Sequence, residues 1–104
     1  MYGAVRRYDG VDESRRDELV AAIREDFIPR LSETPGLQAY YVIDAGGGVL
    51  ASVTICDSRE AAESSIRAAA DFIREGGLGD VLPNPPQVTA GEVTVENVPA
   101  RASA

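Results

Sequence analysis

Two strand-like segments joined by consecutive glycines constrain the fold of this 104-residue chain more than any other feature. Residues 37–44 and 50–56 are rich in β-branched and aromatic side chains, and Gly46, Gly47 and Gly48 lie between them. Glycines in this position are typical of a β-hairpin, because its tight turn needs positive φ angles. The sequence therefore predicts an antiparallel pair of strands in the middle of the chain.

The hairpin also predicts which side chains share a face, since a slip of one residue would turn every side chain over. The favoured register pairs Ala39 with Ile55, Tyr41 with Val53, and Ile43 with Ala51. We expect this apolar set to lie under the helices. The other face carries Gln38, Tyr40, Val42, Asp44, Leu50, Ser52, Thr54 and Cys56. Because that face has little charge, we expect a second copy of the chain, a ligand or both to cover it.

The segment before the hairpin predicts a strand and a helix. Residues 2–8 form the strand, and Asp9-Gly10 closes it with a turn. Apolar residues at steps of three and four then indicate a helix with its N-cap at Asp12 or Ser14. Pro29 lies inside this helix and removes a backbone hydrogen bond, so we expect a kink or a tightened last turn there.

The segment after the hairpin predicts a second helix and a last strand. Asp57 and Glu60 have the spacing of a capping box at the start of this helix. A connection rich in glycine and proline follows over residues 76–87, and residues 88–98 indicate the strand. The connection carries Leu78, Val81 and Leu82, which we expect to wrap a partner subunit, with a lid over a cavity as the alternative.

The resulting order of elements is β-α-β-β-α-β. With short connections and right-handed crossovers, this order predicts an α+β, ferredoxin-like fold. Its four-stranded antiparallel sheet carries both helices on one face. We expect one domain over residues 1–98 and a flexible C-terminal tail over residues 99–104.

The composition excludes several classes of function. A formal net charge of −7 has the wrong sign for binding nucleic acid, although all ten basic residues are arginine. Because there is no histidine and one cysteine, catalysis by serine–histidine or cysteine–histidine pairs, Cys/His zinc sites and disulfide frameworks are excluded. We expect no metal and no cofactor. No apolar segment is long enough to span a membrane and the first residues lack a signal-peptide pattern, so we expect a cytoplasmic protein.

Four segments carry a resemblance to a known family. They are Tyr2-Gly3-Ala4-Val5-Arg6-Arg7-Tyr8-Asp9-Gly10, Phe27-Ile28-Pro29, Pro35-Gly36-Leu37-Gln38-Ala39-Tyr40-Tyr41 and Asp57-Ser58-Arg59-Glu60-Ala61-Ala62. Together they resemble the dimeric α/β-barrel superfamily, and more closely the small antibiotic-biosynthesis-monooxygenase-like proteins of actinobacteria. The resemblance implies a homodimer whose sheets pack face to face, with a cavity beside the interface. Members include cofactor-free oxygenases, haem-degrading enzymes and domains without known activity.

Six residues are candidates for lining a ligand cavity between sheet and helices. They are Tyr40, Tyr8, Arg6, Gln38, Ser52 and Thr54. Tyr40 can donate a hydrogen bond to a ligand oxygen, with packing in a dimer as the alternative. If Val5 points to the helices, Arg6 and Tyr8 face the barrel interior, where the arginine holds an anion or forms an ordinary salt bridge. The remaining three supply hydrogen bonds to the ligand, or simply suit their strands.

Two functions are consistent with these residues and with the resemblance. The first is a homodimeric domain that binds a small aromatic molecule or serves as an accessory protein. The alternative is a cofactor-independent monooxygenase acting on phenolic or polyketide-like aromatics. The first is favoured because the cofactor-free oxygenases typically use tryptophan and asparagine, whereas this chain has no tryptophan and its asparagines, Asn84 and Asn97, lie outside the predicted site.

Overall fold

A computed structural model describes residues 1–99 of the chain. The strands are β1 (Tyr2–Tyr8), β2 (Leu37–Gly46), β3 (Val49–Cys56) and β4 (Gln87–Glu92). The helices are α1 (Arg16–Ala22), α2 (Ile28–Ser32) and α3 (Arg59–Glu75). A 3-10 turn, Glu13–Arg15, precedes α1, and a π-helical turn, Ile23–Phe27, joins α1 to α2 as one continuous first helix.

The four strands form one antiparallel sheet in the order β2-β3-β1-β4. This arrangement, with the helices on one face of the sheet, confirms the predicted α+β ferredoxin-like fold. The hairpin register is also confirmed, since Ala39 lies opposite Ile55 and Tyr41 opposite Val53. At the hairpin turn Gly47 and Gly48 have φ angles of 61° and 78°, which side chains with a Cβ rarely adopt.

The predicted assignment of the two sheet faces is wrong. The side chains of β3 that lie buried are Leu50, Ser52, Thr54 and Cys56, and those of β1 are Ala4, Arg6 and Tyr8. The helices therefore cover the more polar face. The apolar face is the open one, where Tyr41 and Ile43 are each 51% exposed and Val5 is 39% exposed. Register decides which residues share a face, but the hand of the crossovers decides which face the helices cover.

The core lies between the sheet and the helices that cover one of its faces. Phe27 is at its centre, with ring centroids 5.5 Å from Tyr40 and 5.0 Å from Phe72. The loop after α3 completes this core, because Leu78, Val81 and Leu82 are all buried in it. The prediction that these three residues wrap a partner is therefore wrong.

The first helix differs from the predicted kink or tightened turn near Pro29. Its start is as predicted, since the Asp12 carboxylate accepts a hydrogen bond from the Ser14 N–H at 3.1 Å. Near Pro29 the helix widens instead of tightening, and the Ile28 N–H donates to the Ile23 carbonyl five residues earlier. Since Pro29 has no N–H to donate, a wider turn ahead of it keeps the neighbouring amides bonded.

Two further boundaries differ from the predictions. The N-cap of α3 is Ser58, whose hydroxyl accepts from the Ala61 N–H at 3.2 Å. Asp57, the predicted cap, lies one residue before it, and its N–H donates to the Gly36 carbonyl at 2.8 Å. Strand β4 ends at Glu92, six residues before the predicted end at residue 98. The single domain over residues 1–98 stays a prediction, and the tail prediction falls mostly on residues 100–104, outside the described part.

Candidate functional site

Four of the six predicted site residues meet at the inner surface of the helix-covered sheet. Arg6 and Tyr8 come from β1, Tyr40 from β2 and Ser52 from β3, and all four line one small cavity. The pairing explains why, since Arg6 lies directly opposite Ser52 and side chains of paired residues project to the same face. The sheet register thus brings together residues that are far apart in sequence.

Arg6 is the unusual member of this group. It is 2% exposed, and its Nε donates to the Ser52 hydroxyl at 2.9 Å while its Nη1 donates to the Ser65 carbonyl at 3.3 Å. Both acceptors are uncharged. Within residues 1–99 no carboxylate lies within ion-pair distance of Arg6, although a buried charge normally has an ionic partner.

The two tyrosines flank this charge. Burial raises the pKa of Tyr8, and the positive charge of Arg6 opposes that rise. Burial likewise raises the pKa of Tyr40, against the lowering effects of Arg6 and Ser52. At neutral pH both phenols are therefore protonated, and each hydroxyl can donate a hydrogen bond to an anionic oxygen held by Arg6.

The site consists of an inner cavity and an outer groove. The inner cavity measures about 30 Å³, roughly the volume of one water molecule. The outer groove measures about 290 Å³, close to the lower limit of about 300 Å³ for small-molecule pockets. The two share the lining residues Ile23, Tyr40, Val42 and Leu50, so the groove lies next to the inner cavity.

The π-helical turn forms the helical wall of the groove. Ile23 and Arg24 are the first two residues of this turn, and Ile28 comes directly after its last residue. All three line the groove together with Val20. The opposite wall contains Asp44 of β2, whose carboxylate accepts from Arg16 at 2.8 Å and from the Gly46 N–H at 3.0 Å. The hydrogen bond from Gly46, and then Arg16, hold the pKa of Asp44 below its usual value.

Two predicted site residues do not line the cavity. Gln38 is exposed, lies at a bulge between Leu37 and Ala39, and lines neither the cavity nor the groove. Thr54 is buried on the helix side but is absent from the cavity lining, and its hydroxyl has no hydrogen-bond partner among the described residues. The register of β2 is interrupted at Gln38, which sequence alternation alone does not indicate.

Three contributors to the site were not predicted from the sequence. Ser65 of α3 accepts the hydrogen bond from Arg6, Phe27 packs on Tyr40, and Arg24 lines the groove. Ser65 lies three residues after Ala62 and four before Ala69, both on the buried stripe of α3. That spacing was a usable signal that Ser65 faces inward.

Neither a metal cluster nor a membrane-spanning helix occurs in the described part of the chain. Across residues 1–99 the acidic and cysteine side chains form no group suited to holding a metal ion. Over the same range no helix has the length and apolar character needed to cross a bilayer.

Solved structures of other proteins share the fold of this chain. The chain is similar to a protein of unknown function, NE2512 from Nitrosomonas europaea, with a TM-score of 0.73 and 14% identity over 96% of this chain and 95% of that one. It is similar to Rv0793 from Mycobacterium tuberculosis, with a TM-score of 0.69 and 20% identity over 93% and 98% of the two chains. No profile of a known protein family matches the sequence, and no curated protein matches it.

A third structure adds a described activity. It is a monooxygenase from the gene ActVA-Orf6 of Streptomyces coelicolor, solved with the ligand nanaomycin D, with a TM-score of 0.71 and 16% identity over 95% of this chain and 92% of that one. Another match carries the description antibiotic biosynthesis monooxygenase. At such identities the similarity shows the fold alone: this chain has the fold of the antibiotic-biosynthesis-monooxygenase-like proteins. The narrower resemblance to actinobacterial members stays a prediction.

Proposed function

We propose that this protein binds small planar aromatic molecules whose phenol or enol oxygen carries negative charge. The observation that supports this most directly is Arg6, a buried guanidinium without a carboxylate partner in residues 1–99, with Tyr8 and Tyr40 lining the same cavity. An anionic oxygen would supply the missing counter-charge, and the two phenols would donate to it. A protein with the same fold, the Streptomyces coelicolor monooxygenase, was solved with the ligand nanaomycin D, which supports a ligand site in this fold.

The dimensions of the site suggest how such a ligand would lie. The inner cavity of about 30 Å³ has no room for an aromatic ring, whereas the outer groove of about 290 Å³ does. The ring would therefore occupy the groove between Ile23 and Val42, with its charged oxygen directed past Tyr40 towards Arg6.

We favour binding over catalysis because the groove offers no suitable base. An oxygenase of this type must remove a proton from its substrate, which needs a group with a pKa near the working pH. Asp44 is the carboxylate that lines the groove, and its lowered pKa makes it a weak base. Tyr8 and Tyr40 have raised pKa values and stay protonated. Oxygen uptake with an anthrone-type compound is therefore expected to stay at the uncatalysed rate.

The test uses naphthol as a probe that reports its own ionisation. Because a cation within about 4–6 Å lowers the pKa of an acid by roughly 1–3 units, bound naphthol should ionise at least about one unit below free naphthol. Absorbance of the naphtholate measures this shift. Arg6→Met should remove it, while Arg67→Met, at an exposed arginine on α3 outside the groove, should leave it unchanged. Equal ionisation of naphthol on both variants would contradict the proposal.

We further propose that the working unit is a homodimer formed through the open sheet face. Tyr41, Ile43 and Val5 make that face apolar where a solvated sheet would carry charges. A second copy would bury the same residues on both sides, as a two-fold interface does. This places the dimer contact on the face opposite to the one predicted from the sequence.

The oligomeric state tests this second part. Light scattering after gel filtration should give a dimer mass for the protein, and Tyr41→Asp should give a mass near the monomer's 11.0 kDa. Val88→Asp is the control, since Val88 is also exposed but lies opposite Arg6, on the helix side of the sheet. A monomer at micromolar concentration would overturn the dimer and leave the ligand proposal in place.

A further inference from the structure

A second arginine without an ionic partner in residues 1–99, Arg24, lines the groove next to the cavity that Arg6 lines. Arg7, Arg15, Arg16, Arg30, Arg59 and Arg74 each have a carboxylate within ion-pair distance. Among residues 1–99, Arg6, Arg24 and Arg67 have none. Two of these three, Arg6 and Arg24, line the adjacent cavity and groove, and Arg67 lies elsewhere on α3.

The two arginines occupy different parts of the site. Arg6 is buried and lines the inner cavity, whereas Arg24 is exposed and lines the outer groove. The apolar side chains of Ile23 and Ile28 lie beside Arg24 on the groove wall. The site therefore offers one cation in its inner cavity, an apolar groove wall and a second, exposed cation on that wall.

The one carboxylate of the groove does not neutralise Arg24. Asp44 is held by Arg16 and by the Gly46 N–H, so its charge is already engaged. The chain carries a formal net charge of −7, and its paired arginines show that carboxylates are available for most of its cations. Two arginines without carboxylate partners in residues 1–99 thus line adjacent parts of one site in an acidic protein.

We propose that the ligand of this groove is an aromatic hydroxy-carboxylic acid, bound with its carboxylate on Arg24. This inference rests on the proposed function, in which Arg6 takes the phenol or enol oxygen at the inner end. The guanidinium of Arg24 matches a carboxylate with two parallel N–H donors. The ring spans the apolar wall between the two charges.

Three probes test the carboxylate and the hydroxyl of the ligand separately. They are a hydroxynaphthoic acid, its methyl ester and the parent naphthol. Calorimetric titration at low salt should show the acid binding roughly fivefold tighter than the ester, as expected for one partly exposed ion pair. Raising the salt concentration should shrink that advantage, because screening weakens exposed charge pairs. Arg24→Gln should abolish the advantage and leave the affinity for the ester unchanged.

The control is Arg67→Gln, which removes an equally unpartnered arginine outside the groove and should preserve both affinities. If acid and ester bind the protein equally, or Arg24→Gln weakens both alike, the carboxylate assignment is overturned. If the ester and naphthol bind without dependence on Arg6, or no probe binds, the proposed function itself fails. Because Arg24 is exposed, circular dichroism should show an unchanged fold in its variant.

Discussion

Replacing Arg6 by methionine tests whether the buried guanidinium is held at a cost in stability. Arg6 is nearly inaccessible, and its partners within residues 1–99 are the Ser52 hydroxyl and the Ser65 carbonyl, both uncharged. Methionine is also long, unbranched and flexible, so Arg6→Met removes the charge while keeping much of the packing. The substitution separates the electrostatic contribution of the side chain from its volume.

The magnitude follows from two opposing contributions. Burying one unpaired ion costs about 4 kcal/mol after relaxation of the surroundings. Because the donor is charged, the hydrogen bond to Ser52 offsets about 2 kcal/mol, and the longer one, to Ser65 at 3.3 Å, offsets about 1 kcal/mol. We therefore expect Arg6→Met to be more stable than the unmodified protein by about 1 kcal/mol, which raises Tm by roughly 4–8 °C in a domain of this size.

Urea denaturation followed by circular dichroism at neutral pH measures this difference. The control variant is Arg67→Met, whose exposed side chain should change the free energy of unfolding by less than about 0.5 kcal/mol. Loss of about 1 kcal/mol or more in Arg6→Met, at an unchanged m-value, would refute the reasoning. The guanidinium would then be stabilising in the empty protein, and its burial would no longer point to a missing anion.

Three further predictions concern single positions. Gly36→Ala should lower the free energy of unfolding by at least about 1 kcal/mol, because Gly36 has φ +87° and its new Cβ would clash with the Asp57 carboxylate; an unchanged denaturation midpoint would contradict this. The pKa of Tyr40 is higher in the folded protein than the unfolded value of about 10. Its protonated phenol therefore favours the fold at lower pH, and this contribution is lost as pH rises through the folded pKa. Since Arg6 opposes that rise, Arg6→Met should move the tyrosinate absorbance titration to higher pH, and a shift to lower pH would count against the contact. Burial, and then Asp57, raise the pKa of the Cys56 thiol, so it should react with a thiol reagent only after unfolding; rapid labelling of the native protein would contradict its burial.

The fold was predictable because its determinants are local in sequence. Hairpin glycines, alternation and the order of elements indicate which strands pair, and the register from Ala39 to Ile55 followed from alternation alone. The side of the sheet that the helices cover depends on the hand of a connection that spans the whole first helix. Apolar residues such as Tyr41 and Ile43 form the same sequence pattern whether they pack under the protein's own helices or against another surface.

Sequence patterns predicted four of the residues that line the candidate site, but not the atoms that surround them. Arg6, Tyr8, Tyr40 and Ser52 follow from alternation within three paired strands, and the structure brings them to one cavity. The absence of an ion pair at Arg6 within residues 1–99 depends on α3, which presents a serine carbonyl there instead of a carboxylate. Sequence patterns give the face of a helix but not the atom that meets a given side chain, so the unpaired charge emerged only from the structure.

The two faces of the sheet also connect the proposed ligand site with the proposed homodimer. Arg6 lies between Val5 and Arg7 on β1. This strand therefore carries the buried charge of the inner cavity on one side and part of the open apolar face on the other. A partner subunit on the open face would restrict the strand that positions Arg6. Since rigid sites lose less conformational entropy when they bind, the dimer should hold its ligand more tightly than a monomer does, although no partner residue needs to touch the ligand. The dimer contact would then support binding through the sheet itself.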